Sequence, residues 1–448
     1  MIDYSLLFAV IAGIGLLLVL ILYFKIQAFL SLLICSITVG LIAGMPPLDI
    51  LKNIQAGMAS TLGFIAIVVG LGAMFGAILE SSGGVQSLAA YILKQTGEKR
   101  ASWALAATGF LVSIPVFFDV GFVILVPVVY ALQKKTGRSL LYYGIPLLAG
   151  LAVTHAFVPP TPGPVAVASI LGADMGLVIG VGILAGIPAT IIGGPVFASY
   201  ISKRIHVETP TFFDEKVNHS KLPSPGIILA LIGLPLLLIL MNTYLDSPMG
   251  DNLPVSATVK DLIKMLGHPF VALIIANLLA WYLLGIRKGF SKQELLDINT
   301  SSLGAAGIII LITGAGGVFK EILTETGTGK MIADVMTHYG LSAFFFAYLT
   351  AAAIRIMQGS ATVAMITAAG MTAAFLEGSS FSDMHKALLV IAIASGASIL
   401  SHVNDSGFWL VSKYFGLTER QTLRSWTVTT TLISVTGFLM VLLMSLFV

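Results

Sequence analysis

Cys35 is the only cysteine in 448 residues, which leaves no partner for an internal disulfide and no cysteine-built metal site. It lies inside an apolar run and is expected to be a small core residue. Charge is also scarce: Asp, Glu, Lys and Arg make up 10% of the chain, against roughly 25% in soluble domains. That excludes a water-soluble fold. The formal net charge of +3 offers no basic face for nucleic acid. Met1-Ile2-Asp3 lacks the basic start of a cleavable signal, so the first helix is expected to be its own insertion signal. Gly314-Ala315-Gly316-Gly317 follows no strand and precedes no Gly-Lys-Ser/Thr, so a phosphate loop is excluded and close helix packing explains the glycines. Metal-ligand spacing and nucleophile motifs are missing too. Ser401-His402 is the only adjacent pair that could serve an enzyme, and neither catalysis nor a cofactor nor a metal is expected.

Apolar residues abound, at 57% of the chain. Charge-free runs such as Tyr4 to Phe24, Ile26 to Leu48, Met175 to Ser202 and Ser425 to Val448 are each long enough to cross a hydrocarbon core of about 30 Å as a helix. They are apolar all round, unlike barrel strands, so the fold class is an all-α polytopic membrane protein. Of the 24 Lys and Arg residues, 17 fall on one side if Lys25, Lys94 to Arg100, Lys134 to Arg138, Lys203 to Lys221, Arg287 to Lys292 and Lys413 to Arg424 share it. Taking that side as cytoplasmic places both termini outside, in the periplasm.

Spans near 4–24, 26–44 and 57–79, a pair over 101–133, re-entrant or fully spanning, that begins and ends inside, a broken segment over 140–172 and a return over 176–200 form one unit. Spans near 225–245, 266–286 and 303–324, a pair over 340–376, a broken segment over 386–410 and a last span from 425 repeat that order with every direction reversed. Gly63, Gly70, Gly72, Phe75, Ile78, Leu79, Gly83 and Ala89 match Gly307, Gly314, Gly316, Phe319, Ile322, Leu323, Gly327 and Ala333. The expected organisation is a first inverted repeat over 1–202, a cytoplasmic linker over 203–224 and a second inverted repeat over 225–448. Inverted-topology repeats place a transport site at the midplane, between discontinuous helices.

The chain breaks there in four places. Pro159, Pro160, Pro162, Gly163 and Pro164 unwind the first broken segment, and Pro164 could start a half-helix whose amides at Val165 and Ala166 face an anion; an extracellular proline loop is the alternative. Ser401-His402-Val403-Asn404-Asp405-Ser406-Gly407 aligns with the segment from Thr154-His155, so each break has a histidine after a small hydroxyl residue. Phe117-Phe118-Asp119 and Gln358-Gly359-Ser360-Ala361-Thr362 mark the tips of the two pairs. An acid inside a membrane costs ~2.5 to 3.5 kcal/mol on the insertion scale, so Asp119 and Asp405 are read as proton sites, with a helix cap as the alternative for Asp119. Arg355 could hold a carboxylate, pair permanently with Asp405 or snorkel outward. Glu80 is expected at a helix end near the interface, and Trp103, Trp281 and Trp426 in the aromatic belt.

These residues resemble the gluconate permeases, a proton-symporter family within the wider ion transporter superfamily. The likeness covers essentially the whole chain and is carried by Ile114-Pro115-Val116-Phe117-Phe118-Asp119-Val120-Gly121-Phe122, Thr154 to Pro164, Gln358 to Ala364 and Ser401 to Trp409. Asp119, the proline loop and Asn404-Asp405 follow the gluconate branch rather than the D-serine branch. The resemblance implies import of gluconate or a close sugar acid by proton symport with alternating access; a proton- or sodium-coupled carrier of another small hydroxy or amino acid, such as D-serine or glycerate, is the alternative. On that reading the half-helix amides near Val165 hold the carboxylate together with Ser360, Thr362 and Arg355. Thr154, Thr161, Asn404 and Ser406 then serve the hydroxyls, and Asp119, His155, His402 and Asp405 form the proton path. The expected partners are the sugar acid, protons and the bilayer. Transporters of this plan often dimerise, so a homodimer is compatible with it.

Overall fold

Apolar runs surrounded by lipid must satisfy their backbone internally, and every regular element among the described residues is helical. The computed structural model describes residues 4–97, 100–210, 222–246, 256–327, 342–376, 381–403 and 405–448. Helices α1 (Tyr4–Leu22) and α2 (Ala28–Ile42) form a hairpin, followed by the long α3 (Pro47–Ser81) and the amphipathic α4 (Gly84–Thr96). The first pair is α5 (Ala101–Val112) and α6 (Phe118–Thr136); the first broken segment is α7 (Leu140–Phe157) and α8 (Pro162–Leu171), and α9 (Met175–Ile201) completes the half.

After the linker come α10 (Pro225–Asp246), α11 (Ala257–Gly267), α12 (Pro269–Lys288) and the long α13 (Lys292–Glu325). The second pair is α14 (Ala343–Gln358) and α15 (Ala361–Leu376), and the second broken segment is α16 (Asp383–Ala397) and α17 (Ser406–Phe415). The chain closes with α18 (Glu419–Ser445). Seven of the described helices or helix runs are long and apolar enough to cross a membrane. The starts of α3 and of α5 to α9 recur 242 to 245 residues later in α13 and in α14 to α18.

Two elements run further than hydropathy indicates. α3 begins at Pro47 rather than near 57, and α13 at Lys292 rather than near 303, because polar turns at Asp49 to Asn53 and Lys292 to Ser302 are helical as well. A capping box starts α13: Ser291 Oγ accepts the Glu294 amide at 3.1 Å, and the Glu294 carboxylate accepts the Ser291 amide at 2.7 Å.

α3 and α13 pack along their length in opposite directions, Gly57 lying against the Gly317 backbone and Gly70 beside Leu303. Around them, α5 packs on α7 and α14 on α16. The broken helices form the interior: every residue of α16 from Ala387 to Ala397 is buried, and so are nearly all of α7. Burial on every face, rather than apolar composition, shows that these two helices are walled by protein. Leu184, Leu237, Leu278, Ile308 and Leu439 are exposed instead, as side chains facing lipid would be.

The linker is docked at both described ends. Ser139 at the α6–α7 turn donates to the Ile205 carbonyl at 2.9 Å, Thr209 Oγ1 donates to Gln133 Oε1 at 2.9 Å, and Ser87 of α4 donates to the Pro223 carbonyl at 2.6 Å. Its acidic and basic centre, Asp214, Glu215, Lys216 and Lys221, lies outside the described residues.

Candidate helix-break site

Two glycines on one face of α3, Gly72 and Gly76, receive the first two breaks. The Pro160 carbonyl stands 3.5 Å from where a Gly72 Cβ would be, while a Cβ on Gly76 would overlap the Pro115 carbonyl. Gly76 is therefore required by the approach of the α5–α6 tip. Gly72, Pro115, Phe117, Pro160 and Thr161 enclose a small void of about 10 Å³, room for a single water by the usual threshold. Ala73, Pro115, Val116 and Phe117 also wall a larger cavity of about 270 Å³, which reaches Glu80 and Ser81 at the end of α3 and Ile298, Ser301 and Ser302 on α13. Glu80, expected at a helix end, is in the last turn of α3, and it lines this cavity.

In the first broken segment, Thr154 Oγ1 and His155 Nδ1 are buried and find no protein partner among the described residues. The His155 ring meets Phe117 edge to face at 6.0 Å, which ties the α7 break to the α5–α6 tip. Pro159, Pro160 and the Thr161 hydroxyl, which donates to the Val158 carbonyl at 2.6 Å, connect α7 to α8. α8 starts at Pro162 rather than at Pro164. The expected anion-facing amide of Val165 is not free, since it donates to the Thr161 carbonyl at 3.3 Å as the first helical hydrogen bond. Pro162 and Pro164 have no amide hydrogen, so Gly163 alone keeps one in that first turn. Gly163 itself packs against Met365 of α15.

In the second half the breaks are held together by charge. Arg355, buried at the end of α14, places Nη2 2.5 Å from Asp405 Oδ2 and donates from Nη1 to the Gly359 carbonyl. Of the three readings of Arg355, pairing with Asp405 is the one observed. Asp405 also caps α17, its Oδ1 accepting the Gly407 amide at 3.1 Å, and its Oδ2 accepts the Ser401 hydroxyl. Ser401 in turn accepts the Trp426 indole N–H at 2.7 Å. His402 Nε2 lies 2.8 Å from the Ile356 carbonyl. Ser360 Oγ accepts the Val363 amide at 3.4 Å, Thr362 is half-buried in the first turn of α15, and Ser406 is exposed at the start of α17. Asn404 lies outside the described residues.

Trp426 was expected in the aromatic belt, but it is buried, on a π-type turn of α18 at Leu423–Thr427, a deformation frequent at functional positions. Only the position of Ser401 one residue before His402 hinted at this partner. The Trp426 ring also stacks on Phe118 at 5.5 Å, and this contact links the two halves beside Asp119. Asp119 is exposed in the first turn of α6, within Coulombic reach of Asp405. The structure thus brings together Asp119, Arg355, Ser401 and Asp405 on one side, and Thr154, His155 and Thr161 on the other, with Phe117 and Phe118 between them.

Discontinuous helices converging inside a helical bundle, with a buried ion pair at one break and, among the described residues, the unpartnered Thr154 hydroxyl at another, define a membrane transporter rather than a soluble enzyme. Solved structures agree on the fold. The Alcanivorax borkumensis YdaH transporter superposes with a TM-score of 0.65 at 14% identity, covering 93% of this chain and 98% of that one. Neisseria gonorrhoeae MtrF, of a class of antimetabolite efflux pumps, gives 0.64 at 14% identity over 92% and 93%. The GntP family permease model matches residues 4–447, and the chain belongs to that family. Among its relatives, the low-affinity gluconate transporter of Escherichia coli K12 is 39% identical over 98% of this chain and 97% of its own length. The Gnt-II system L-idonate transporter of the same strain is 38% identical over 96% and 97%, and the gluconate permease of Bacillus subtilis 37% identical over 97% and 98%. The chain is a multi-pass membrane permease.

Proposed function

We propose that this permease imports gluconate or a closely related sugar acid by proton symport across the cytoplasmic (inner) membrane. It works by alternating access between inverted repeats 1–202 and 225–448, joined by the cytoplasmic linker 203–224, with both termini outside. Relatives named for gluconate and idonate support the substrate class. The recurrence of helix boundaries and the antiparallel packing of α3 on α13 support the repeat.

The single observation that carries the mechanism is the Arg355–Asp405 pair. A sugar acid is anionic at neutral pH, since its carboxyl titrates near pH 4 as an aspartate does. When Asp405 takes up a proton, its charge disappears and the buried Arg355 loses its counter-ion, a state that costs several kcal/mol. The substrate carboxylate supplies the missing charge. Proton alone leaves a bare cation and anion alone leaves an excess negative charge, so only the two together refill the site. Asp119, within Coulombic reach of Asp405, and His402 pass the proton; His155 serves the same path from the first half. Ser360, Thr362 and the Gly163 amide assist the carboxylate in place of the engaged Val165 amide, and Thr154, Thr161, Asn404 and Ser406 receive the sugar hydroxyls.

The test is uptake of labelled gluconate into proteoliposomes under an inward proton gradient, with idonate and D-serine as competitors and potassium replacing sodium. Accumulation should collapse with a protonophore, persist without sodium and resist D-serine. Accumulation that needs sodium, or none at all, would remove proton symport of a sugar acid.

A further inference from the structure

Among the described residues lining the 270 Å³ cavity, Glu80 is the only charged one; the other polar lining groups are Ser81, Ser301 and Ser302. Its carboxylate, half-buried, has no hydrogen bond or ion pair among the described residues, so no structural contact accounts for it. It also stands at the wrong end of its helix. Asp49, Asp119, Glu294 and Asp383 all lie in first turns, where the helix dipole favours an anion, whereas Glu80, like Glu325 on α13, lies in a last turn, where the dipole disfavours one. The neighbouring elements bring other titratable groups, Lys94 on α4, Asp119 on α6, and Glu294 and Asp297 on α13, but none of them lines the cavity.

The geometry points to Glu80 as the group that releases the co-transported proton to the cytoplasm. This assignment rests on the symport reading and orientation proposed above, in which the end of α3 and the start of α13 face inward. The cavity shares Ala73, Pro115, Val116 and Phe117 with the void at Pro160–Pro162, so it leads directly from the helix breaks. Asp119 begins two residues beyond Phe117. A proton arriving at Glu80 makes a neutral acid, past which an anionic substrate can leave. The O–H bond then breaks, the proton goes to cytoplasmic water, and the carboxylate that remains repels the anion from re-entering. Ser81, Ser301 and Ser302 offer hydrogen bonds to the departing hydroxyls.

The experiment compares wild type, Glu80→Gln and Glu80→Asp in proteoliposomes by two readouts of labelled gluconate. One is accumulation driven by an inward proton gradient; the other is exchange against internal gluconate at equal pH, which needs no net proton release. Glu80→Gln should lose accumulation at least tenfold while its exchange falls no more than about threefold, and Glu80→Asp should recover accumulation. Wild-type accumulation in Glu80→Gln would overturn the assignment and leave symport standing. Parallel loss of exchange and accumulation in both variants would make Glu80 a structural residue and overturn it as well. Failure of wild type itself to accumulate under the gradient would overturn the symport reading and this assignment with it.

Discussion

Asp405 is held from three directions, by Arg355, by Ser401 and by the Gly407 amide, yet it is also the group proposed to accept a proton. Replacing it with Asn keeps the shape and removes the charge, leaving Arg355 without a counter-ion. Removing one partner of a buried pair costs about 3 to 5 kcal/mol, and the lower end applies here because Asp405 is only partly buried. Thermal unfolding in detergent should therefore show Asp405→Asn destabilised. Added gluconate should raise its melting temperature more than it raises that of wild type, because the substrate carboxylate replaces the lost charge. Equal shifts in the two proteins would argue against competition for Arg355. Asp119 forms no such pair among the described residues and stands at an exposed position in the first turn of α6. Asp119→Asn is expected to leave the melting temperature within about 1 °C while abolishing proton-driven accumulation; accumulation at the wild-type level in a well-expressed variant would take it off the path.

At the level of helices, α3 is a seat for two breaks, and its two glycines are not equivalent. Gly72→Ala adds a methyl at ordinary contact distance from Pro160, so uptake should change less than twofold. Gly76→Ala drives a methyl into the Pro115 carbonyl, and the tip carrying Phe117 to Asp119 must move; overpacking of this kind costs about 1–3 kcal/mol. Uptake should fall at least tenfold in protein that still reaches the membrane, and similar behaviour of the two variants would refute the seating. Such contacts explain what could and could not be read from the sequence. The breaks at Pro159–Pro164 and at Ser401–Gly407 were legible because proline and clustered polar residues interrupt apolar runs for local reasons. The role of Gly76 was invisible, since its partner is the backbone of a residue 39 positions later. The burial of Trp426 was equally hidden, because belt and core tryptophans carry the same local pattern. α4 and α11 have the helical period without the length of a span, so hydropathy passed over them. The Val165 amide was misplaced because Pro162, not Pro164, begins α8; either proline fits a first helical position.

Taken whole, the proposed orientation rests on where the basic residues fall, and it can be checked directly. Cys35 is fully buried, so the native chain already offers an unreactive background for single-cysteine labelling. A membrane-impermeant maleimide should modify Leu446→Cys in intact cells and Arg204→Cys only after the membrane is opened; the reverse pattern would invert the topology. The exchange proposed at Arg355 has a further consequence for a protein working in an electric field. Empty, the pair sums to zero; loaded with one proton and one monoanion, the site again sums to zero. The moving centre then carries no net charge in either direction, and a potential worth ~2.3 kcal/mol per charge per 100 mV has nothing to act on. Uptake under a fixed pH gradient should be flat as the voltage is clamped from 0 to about −100 mV with potassium and valinomycin, and a steep slope would mean that a second proton travels with each sugar acid. Such a carrier feeds on acidity alone, and a cell whose membrane has been depolarised at constant pH difference would go on filling with substrate.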